Sequence, residues 1–202
     1  HRRHLDNSAR VASFIRLPWV WRSRGGRRCT LTITYTGPAL RRGLATYCGY
    51  LEVCWIMATA PARGSSHNPD YNLFDDKDPL IKAVAKDLTK IINKEIGSNI
   101  YIDDSFYTIL GAGGRVDRHT HLSPQDRKFC NDFNINKYSL VYYLMTGDQK
   151  CSEPGILKLY DPIESYLPID GMMIMFPADR EHSAKYNGNK DRMIIGVNFY
   201  AL

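Results

Sequence analysis

The feature of this sequence that most restricts its fold is a series of short apolar runs between residues 104 and 202. These runs are rich in β-branched and aromatic residues, and Gly, Pro, Asn and Asp separate them, as is typical of β-strands joined by turns. We expect no helix between them, which favours a sandwich or barrel over βαβ units. The predicted strands are residues 104–110, 138–145, 155–161, 171–177 and 192–202.

One amphipathic helix is predicted ahead of these strands. Asp78 suits the N-cap, Pro79 suits the first helical position, and Gly97 supplies a stop. Apolar residues recur between them at three- and four-residue spacing, so one helix face should cover the sheet. Those residues are Leu80, Ile81, Val84, Leu88, Ile91 and Ile92. The expected fold is therefore mostly β, a jelly roll with one supporting α-helix.

Charge divides the 202-residue chain into two unlike parts. Residues 1–66 contain eleven Arg, no Lys and two acidic residues, whereas residues 67–202 contain sixteen cations and nineteen acids. We interpret 1–66 as a basic extension, spurious or poorly ordered, with a strand over 30–37 and an apolar block over 44–60. A small unrelated module and a nucleic-acid-binding arm are alternatives, although we expect no nucleic-acid partner. A Pro, Gly and Ser-rich linker at 60–69 marks the boundary.

Hydropathy and cysteine usage predict the cellular compartment of the protein. No uninterrupted apolar run reaches the ~18–20 residues of a membrane helix, so no membrane association is expected. The five Cys form no C-x-x-C pair and are odd in number. This pattern predicts free thiols in a reducing compartment, the cytoplasm. The sequence does not indicate an oligomeric state.

Three of the six His lie in the β region and suggest a metal site. His119 and His121 form an H-x-H pair, whose side chains share one side of an extended segment. His182, about sixty residues later, would complete a facial set that leaves positions open for substrate and O₂. Arg192 opens an apolar strand, where a buried cation requires an anion such as a dicarboxylate. The alternatives are a solvated His182 and a surface ion pair of Arg192 with Asp191 or Glu181.

These residues resemble the iron(II)- and 2-oxoglutarate-dependent oxygenases, in the prolyl-hydroxylase-like branch. The resemblance covers roughly residues 100–202 and depends on the order and spacing of its motifs. The matching segments are RHTH (118–121), SLVYYLM (139–145), PGILKLYDP (154–162), and GMMIMFPADREHSA followed by DRMIIGVNF (171–199).

The resemblance implies a double-stranded β-helix and a role for each matching residue. His119 and His182 would ligate iron(II), and Arg192 would hold the distal carboxylate of 2-oxoglutarate. Tyr143 would donate its hydroxyl to the same carboxylate, and Asn198 is a weaker candidate for the inner wall. The implied reaction consumes O₂ and 2-oxoglutarate, releases succinate and CO₂, and hydroxylates a small-molecule or peptidyl substrate that the sequence does not identify.

The chain departs from the family at one ligand. The family has H-x-D where this sequence has His121, and losing that carboxylate removes a negative charge from the metal shell. We still expect His121 to be a ligand, with Asp117 and Asp126 as carboxylates that could replace it. The change keeps two other hypotheses open: a cupin-like three-His metal protein acting without 2-oxoglutarate, and a non-catalytic binding module. Arg192 at its spacing favours the oxygenase.

Overall fold

The fold is known from a computed structural model that describes residues 31–34 and 72–202. A short 3-10 turn at Leu73–Asp75 precedes two α-helices, Pro79–Ile96 (α1) and Pro124–Phe133 (α2). The strands are Leu31–Thr34 (β1), Ile100–Leu110 (β2), Gly114–His119 (β3), Asn136–Met145 (β4), Leu157–Leu159 (β5), Glu164–Tyr166 (β6), Met172–Pro177 (β7), His182–Tyr186 (β8) and Arg192–Ala201 (β9).

The strands form two antiparallel sheets, as expected for a jelly roll. The larger sheet has the order β1-β7-β4-β9-β2, and the smaller has the order β3-β8-β5-β6. Every strand pair in both sheets is antiparallel. The prediction of a mostly β fold, a jelly roll or double-stranded β-helix, is therefore confirmed. None of the helices described is both long enough and apolar enough to cross a membrane.

Helix α1 begins and ends where the sequence predicts. The Asp78 carboxylate accepts a hydrogen bond from the Leu80 backbone N–H at 2.7 Å, and Pro79 opens the first turn. Gly97 closes the helix at φ 77°, a left-handed conformation that glycine adopts without a steric penalty. The apolar face of α1 packs on the larger sheet, in one cluster with alternate residues of β9: Met193, Ile195, Val197 and Phe199.

The opposite face of the larger sheet forms a second apolar cluster with the smaller sheet. Tyr143 of β4 and Ile194 of β9 belong to this cluster, together with Leu157 and Leu159 of β5. Because side chains alternate along a strand, Arg192 and Asn198 share the face of Ile194. The space between the two sheets therefore receives the residues on which the sequence interpretation depends.

A second helix, α2, corrects the prediction of a single helix. Ser123 is its N-cap and forms a reciprocal capping box with Asp126, and Pro124 occupies the first turn. No side chain of α2 is buried. Its apolar pair, Phe129 and Phe133, has helical spacing, and the two rings lie 4.8 Å apart on the exposed side of the helix. Apart from this short pair, the capping residues were the signal for a helix in the sequence.

Three polar or short strands of the smaller sheet, β3, β6 and β8, were also not predicted. Their residues lack the continuous apolar character of β4, β7 and β9. They form strands because each pairs with a neighbouring strand of the sheet. Boundaries differ as well, since β2 begins at Ile100, four residues earlier than predicted, and the predicted strand 155–161 contracts to Leu157–Leu159.

One strand lies within the segment interpreted as an extension. Leu31–Thr34 falls inside the predicted strand 30–37 and pairs antiparallel with β7. The apolar block at 44–60 and the proposed boundary at 60–69 lie outside the described residues. The division of the chain at residue 66 remains a proposal.

Candidate metal and cofactor site

The structure brings the three predicted histidines together. His119 ends β3, His182 begins β8, and these two residues are directly opposite each other in the ladder. One ring nitrogen from each of the three side chains lies within 4.8 Å of the others, within reach of one ion after small side-chain shifts. His121 lies beyond the end of β3, so a bend in the chain, rather than strand alternation, brings it beside His119.

Local contacts fix the H-x-H segment against the sheets. The backbone N–H of His121 donates to the carbonyl of Ala178 at 2.8 Å. Beside the histidines, the Arg118 guanidinium donates to the Glu181 carboxylate at 2.8 Å and lies 4.1 Å from the centre of the Tyr160 ring. These contacts tie β3 to β8 at the position of the histidine pair.

Two of the histidines are oriented for metal ligation. Nδ1 of His119 lies 2.8 Å from the backbone oxygen of Asp117, and Nδ1 of His182 lies 3.3 Å from that of Arg180. A carbonyl oxygen only accepts hydrogen bonds, so Nδ1 carries the proton and the lone pair is on Nε2. Burial, together with the nearby His119, lowers the pKa of His182 to about 4. His182 is therefore neutral at neutral pH, as a ligand must be.

A second polar pair lies between the sheets at Arg192 and Tyr143. Arg192 is 3% exposed and Tyr143 is fully buried, and the guanidinium carbon lies 5.2 Å from the centre of the Tyr143 ring. Burial raises the pKa of the Tyr143 hydroxyl, and the charge of Arg192 opposes this, so the group remains a donor at neutral pH. Gly155 borders the guanidinium closely: a Cβ there would lie 2.7 Å from Arg192 Nε.

Two hydrogen-bond donors of the Arg192–Tyr143 pair lack an acceptor in the part of the chain that the structure describes. These are the Tyr143 hydroxyl and Arg192 Nε, and both are buried. Such groups are costly unless something satisfies them, and a carboxylate would accept from both. The burial of Arg192 excludes the alternative of a surface ion pair, and Glu181 pairs instead with Arg118.

Asn198 lies with the histidines and not with Arg192. The two residues are six positions apart on β9, which corresponds to ~20 Å along a strand. The Asn198 side chain points inward and contacts Ser139, Asp104 and His121. Its predicted role in holding the cosubstrate stays a prediction.

The two carboxylates considered as replacements for His121 are engaged elsewhere. Asp117 is exposed and pairs with Arg115 at 3.2 Å, while Asp126 binds Lys137. Neither belongs to the cluster of metal-ligating side chains. The sequence interpretation missed Asp104, which reaches the site through Asn198. Its only signal was its place at the start of the predicted strand 104–110.

The residues present fit the groups that the fold implies. Imidazole nitrogens suit iron, zinc and copper, and two of the three rings present an unprotonated Nε2. The buried donors of Arg192 and Tyr143 fit one carboxylate of a dicarboxylic acid. An Fe(II) ion at the histidines and 2-oxoglutarate anchored at its distal end are both compatible with this arrangement.

Comparison with solved structures finds clear neighbours. The viral collagen prolyl hydroxylase of Paramecium Bursaria Chlorella virus-1, in complex with 2-oxoglutarate, matches with a TM-score of 0.57 and 12% identity over 86% of this chain and 96% of that chain. A prolyl hydroxylase from Trichoplax adhaerens, in complex with a hypoxia inducible factor peptide fragment, matches with a TM-score of 0.56 and 15% identity over 86% and 83%.

A third neighbour differs in its reaction. The α-ketoglutarate-dependent epimerase SnoN from nogalamycin biosynthesis matches with a TM-score of 0.63 and 9% identity over 87% of this chain and 77% of that chain. No family model and no curated protein matches the sequence. At these identities the likeness concerns the fold, and this chain has the fold of the 2-oxoglutarate- and iron(II)-dependent oxygenases.

Proposed function

We propose that this protein is an iron(II)- and 2-oxoglutarate-dependent dioxygenase that hydroxylates its substrate with release of succinate and CO₂. The observation that carries the proposal is the pair of buried donors on Tyr143 and Arg192, which have no partner among residues 31–34 and 72–202, in a fold that also gathers three histidines. A histidine cluster alone would suit many metal proteins. The additional carboxylate-binding donors match the requirement for a dicarboxylate cosubstrate.

Each residue has a defined task in this proposal. His119, His182 and His121 hold the metal, and Arg192 with Tyr143 binds the distal carboxylate. The bound iron and cosubstrate would supply the oxidising chemistry. The protein contributes orientation, since neutral His182 offers its lone pair without competition from protons at neutral pH. The buried donors of Arg192 and Tyr143 favour an anionic cosubstrate.

The proposed substrate is a peptidyl residue or a small molecule. Support for a peptide comes from the Trichoplax neighbour, which holds a peptide fragment. Support for a small molecule comes from the epimerase of nogalamycin biosynthesis. Hydroxylation is therefore proposed without a named acceptor.

His121 favours a second candidate function. Three imidazoles in place of two imidazoles and a carboxylate suit a cupin-like metal protein that acts without 2-oxoglutarate. This candidate leaves the unpartnered donors of Arg192 and Tyr143 unexplained, and for that reason it ranks second. A non-catalytic binding module ranks third, because it explains neither the donors nor the histidines.

The test is anaerobic titration of the full chain with Fe(II) and then 2-oxoglutarate. We expect a weak visible metal-to-ligand absorption band, followed by succinate once air is admitted. His119→Ala and His182→Ala should abolish the band. Arg192→Ala should weaken 2-oxoglutarate binding, whereas the exposed control Arg115→Ala should not. Iron binding without a band would favour the cupin-like candidate, and no metal binding would favour the binding module.

A further inference from the structure

The hydrogen bonding of His121 differs from that of the other two histidines. Its Nδ1 faces the side-chain nitrogen of Asn198 at 3.3 Å, not a carbonyl oxygen. A β-bulge after Ile102 sets Asp104 directly opposite Asn198 in the β2–β9 ladder. The Asp104 carboxylate lies 2.6 Å from the same amide nitrogen.

Asp104 fixes which way the Asn198 amide points. A carboxylate only accepts hydrogen bonds, so the amide nitrogen, and not its oxygen, must face Asp104. Ser139 reinforces this orientation, because its hydroxyl donates to the Asn198 amide oxygen at 2.6 Å. The second hydrogen of the amide nitrogen then points towards His121 Nδ1.

This orientation determines the proton position on His121. An amide N–H donates only, so Nδ1 of His121 is the acceptor and carries the lone pair. The single proton of the neutral ring is then on Nε2, the reverse of His119 and His182. Ligation through Nε2 requires that proton to move to Nδ1. Ligation through Nδ1 requires the Asn198 N–H to withdraw. Either route breaks the Asn198 hydrogen bond.

We propose that Asp104 and Asn198 are positioning residues that make His121 the weakest and most readily exchanged of the three metal ligands. The inference rests on the proposed metal site. His119 and His182 hold the ion, while His121 joins it only at the cost of the bond to Asn198. Loss of His121 from the metal would leave its place free for another ligand.

The proton position is testable without metal. Nitrogen-15 chemical shifts of the metal-free full chain above pH 7 distinguish the two neutral tautomers of a histidine. We expect His121 to be protonated on Nε2, and His119 and His182 to be protonated on Nδ1. A His121 ring protonated on Nδ1 would overturn the proposal.

An exchange of the two network residues tests the effect on metal binding. The double variant Asp104→Asn, Asn198→Asp keeps composition and charge but turns a carboxylate towards His121 Nδ1, which reverses the hydrogen bond. We expect Co(II) to bind about tenfold more tightly or better, the size of effect that outer hydrogen-bond partners have on metal affinity. The His121 tautomer should change with it. The control Asp87→Asn alters an exposed carboxylate on α1, away from the histidines, and should change neither the Co(II) affinity nor the His121 tautomer.

Further variants and readouts separate the outcomes. Asn198→Ala removes the opposing donor and should raise Co(II) affinity by a smaller factor, so it serves if the double variant does not fold. A structural role alone would lower the melting temperature in both variants without tighter metal binding, and that result would refute the inference. Absence of Co(II) and Fe(II) binding by the wild-type chain would refute the proposed metal site, while the tautomer measurement would still stand.

Discussion

A buried ion network attaches helix α2 to the larger sheet and gives a sharp stability prediction. Lys137 Nζ lies 2.6 Å from the Asp103 carboxylate and 3.1 Å from that of Asp126. The Tyr200 hydroxyl donates to Asp126 at 2.6 Å. Helix α2 buries none of its own side chains, so these polar contacts and the Phe129 ring, 5.1 Å from the Tyr200 ring, attach it to the sheet.

Lys137→Met removes the cation and leaves two partly buried carboxylates facing each other. Breaking one partner of a buried ion pair costs about 3–5 kcal/mol. The Lys137 side chain is 5% exposed, but that of Asp103 is 34% exposed, so solvent offsets part of the loss. We therefore expect the free energy of unfolding at pH 7 to fall by about 3 kcal/mol, at the lower end of that range.

The same network predicts the acid dependence of stability. Burial alone would raise the pKa of Asp126, but hydrogen bonds from Tyr200, Ser123 and Lys137 lower it to about 2. The unfolded chain therefore binds more protons than the folded chain between about pH 4 and pH 2, so stability falls as the pH falls through that window. Lowering the pKa of Asp126 from 3.8 to about 2 corresponds to about 2 kcal/mol of stability at neutral pH. In Lys137→Met the pKa of Asp126 should rise, and this acid loss should shrink.

The assay is urea unfolding of the full chain at pH 7 and at several pH values down to 2. The matched control is Lys158→Met, which changes an exposed lysine on β5. We expect the control to keep wild-type stability within about 0.5 kcal/mol. If Lys137→Met were as stable as Lys158→Met, or if its stability fell with acid as steeply as that of the wild type, the account of the network would be wrong.

Three further predictions concern the sheets. Gly196→Ala should lower the free energy of unfolding by about 1–3 kcal/mol, because its Cβ would lie 2.3 Å from the Phe106 ring, and adding Phe106→Leu should restore part of it. Tyr143→Phe should leave the metal-free melting temperature unchanged or higher, because it removes an unpartnered buried hydroxyl, yet weaken 2-oxoglutarate binding in a titration. A chain of residues 67–202 should keep wild-type Co(II) affinity by calorimetry, since the proposed ligands lie within it, but melt at a lower temperature, since it lacks Leu31–Thr34 beside β7.

Local patterns in the sequence were sufficient for the elements with their own signal. Helix α1 was predicted because Asp78, Pro79 and Gly97 mark its ends and its apolar spacing marks one face. Strands β4, β7 and β9 were predicted because each is apolar on both faces, between α1 and the smaller sheet. The H-x-H pair also predicted that His119 and His121 lie together, although the chain achieves this with a bend after β3.

The elements that were missed take their structure from their partners. Helix α2 buries no side chain, and its Asp126 binds Lys137, which lies on strand β4 of the larger sheet. Strand β8 is short, and its first residue, His182, becomes part of a strand because it pairs with His119 across the ladder. A pattern within one segment cannot show such partners, because they come from residues distant in the sequence.

The sequence by itself determined which donor atoms this protein has: three histidines, an arginine opening an apolar strand, and a tyrosine within another. Only the tertiary structure decided how those atoms face one another. Asp104 and Asn198 are ninety-four residues apart, yet their contact sets the direction of the hydrogen bond to His121. The physical reason is that the position of the proton on an imidazole depends on whether the facing group donates or accepts a hydrogen bond. Folding determines which group faces the ring.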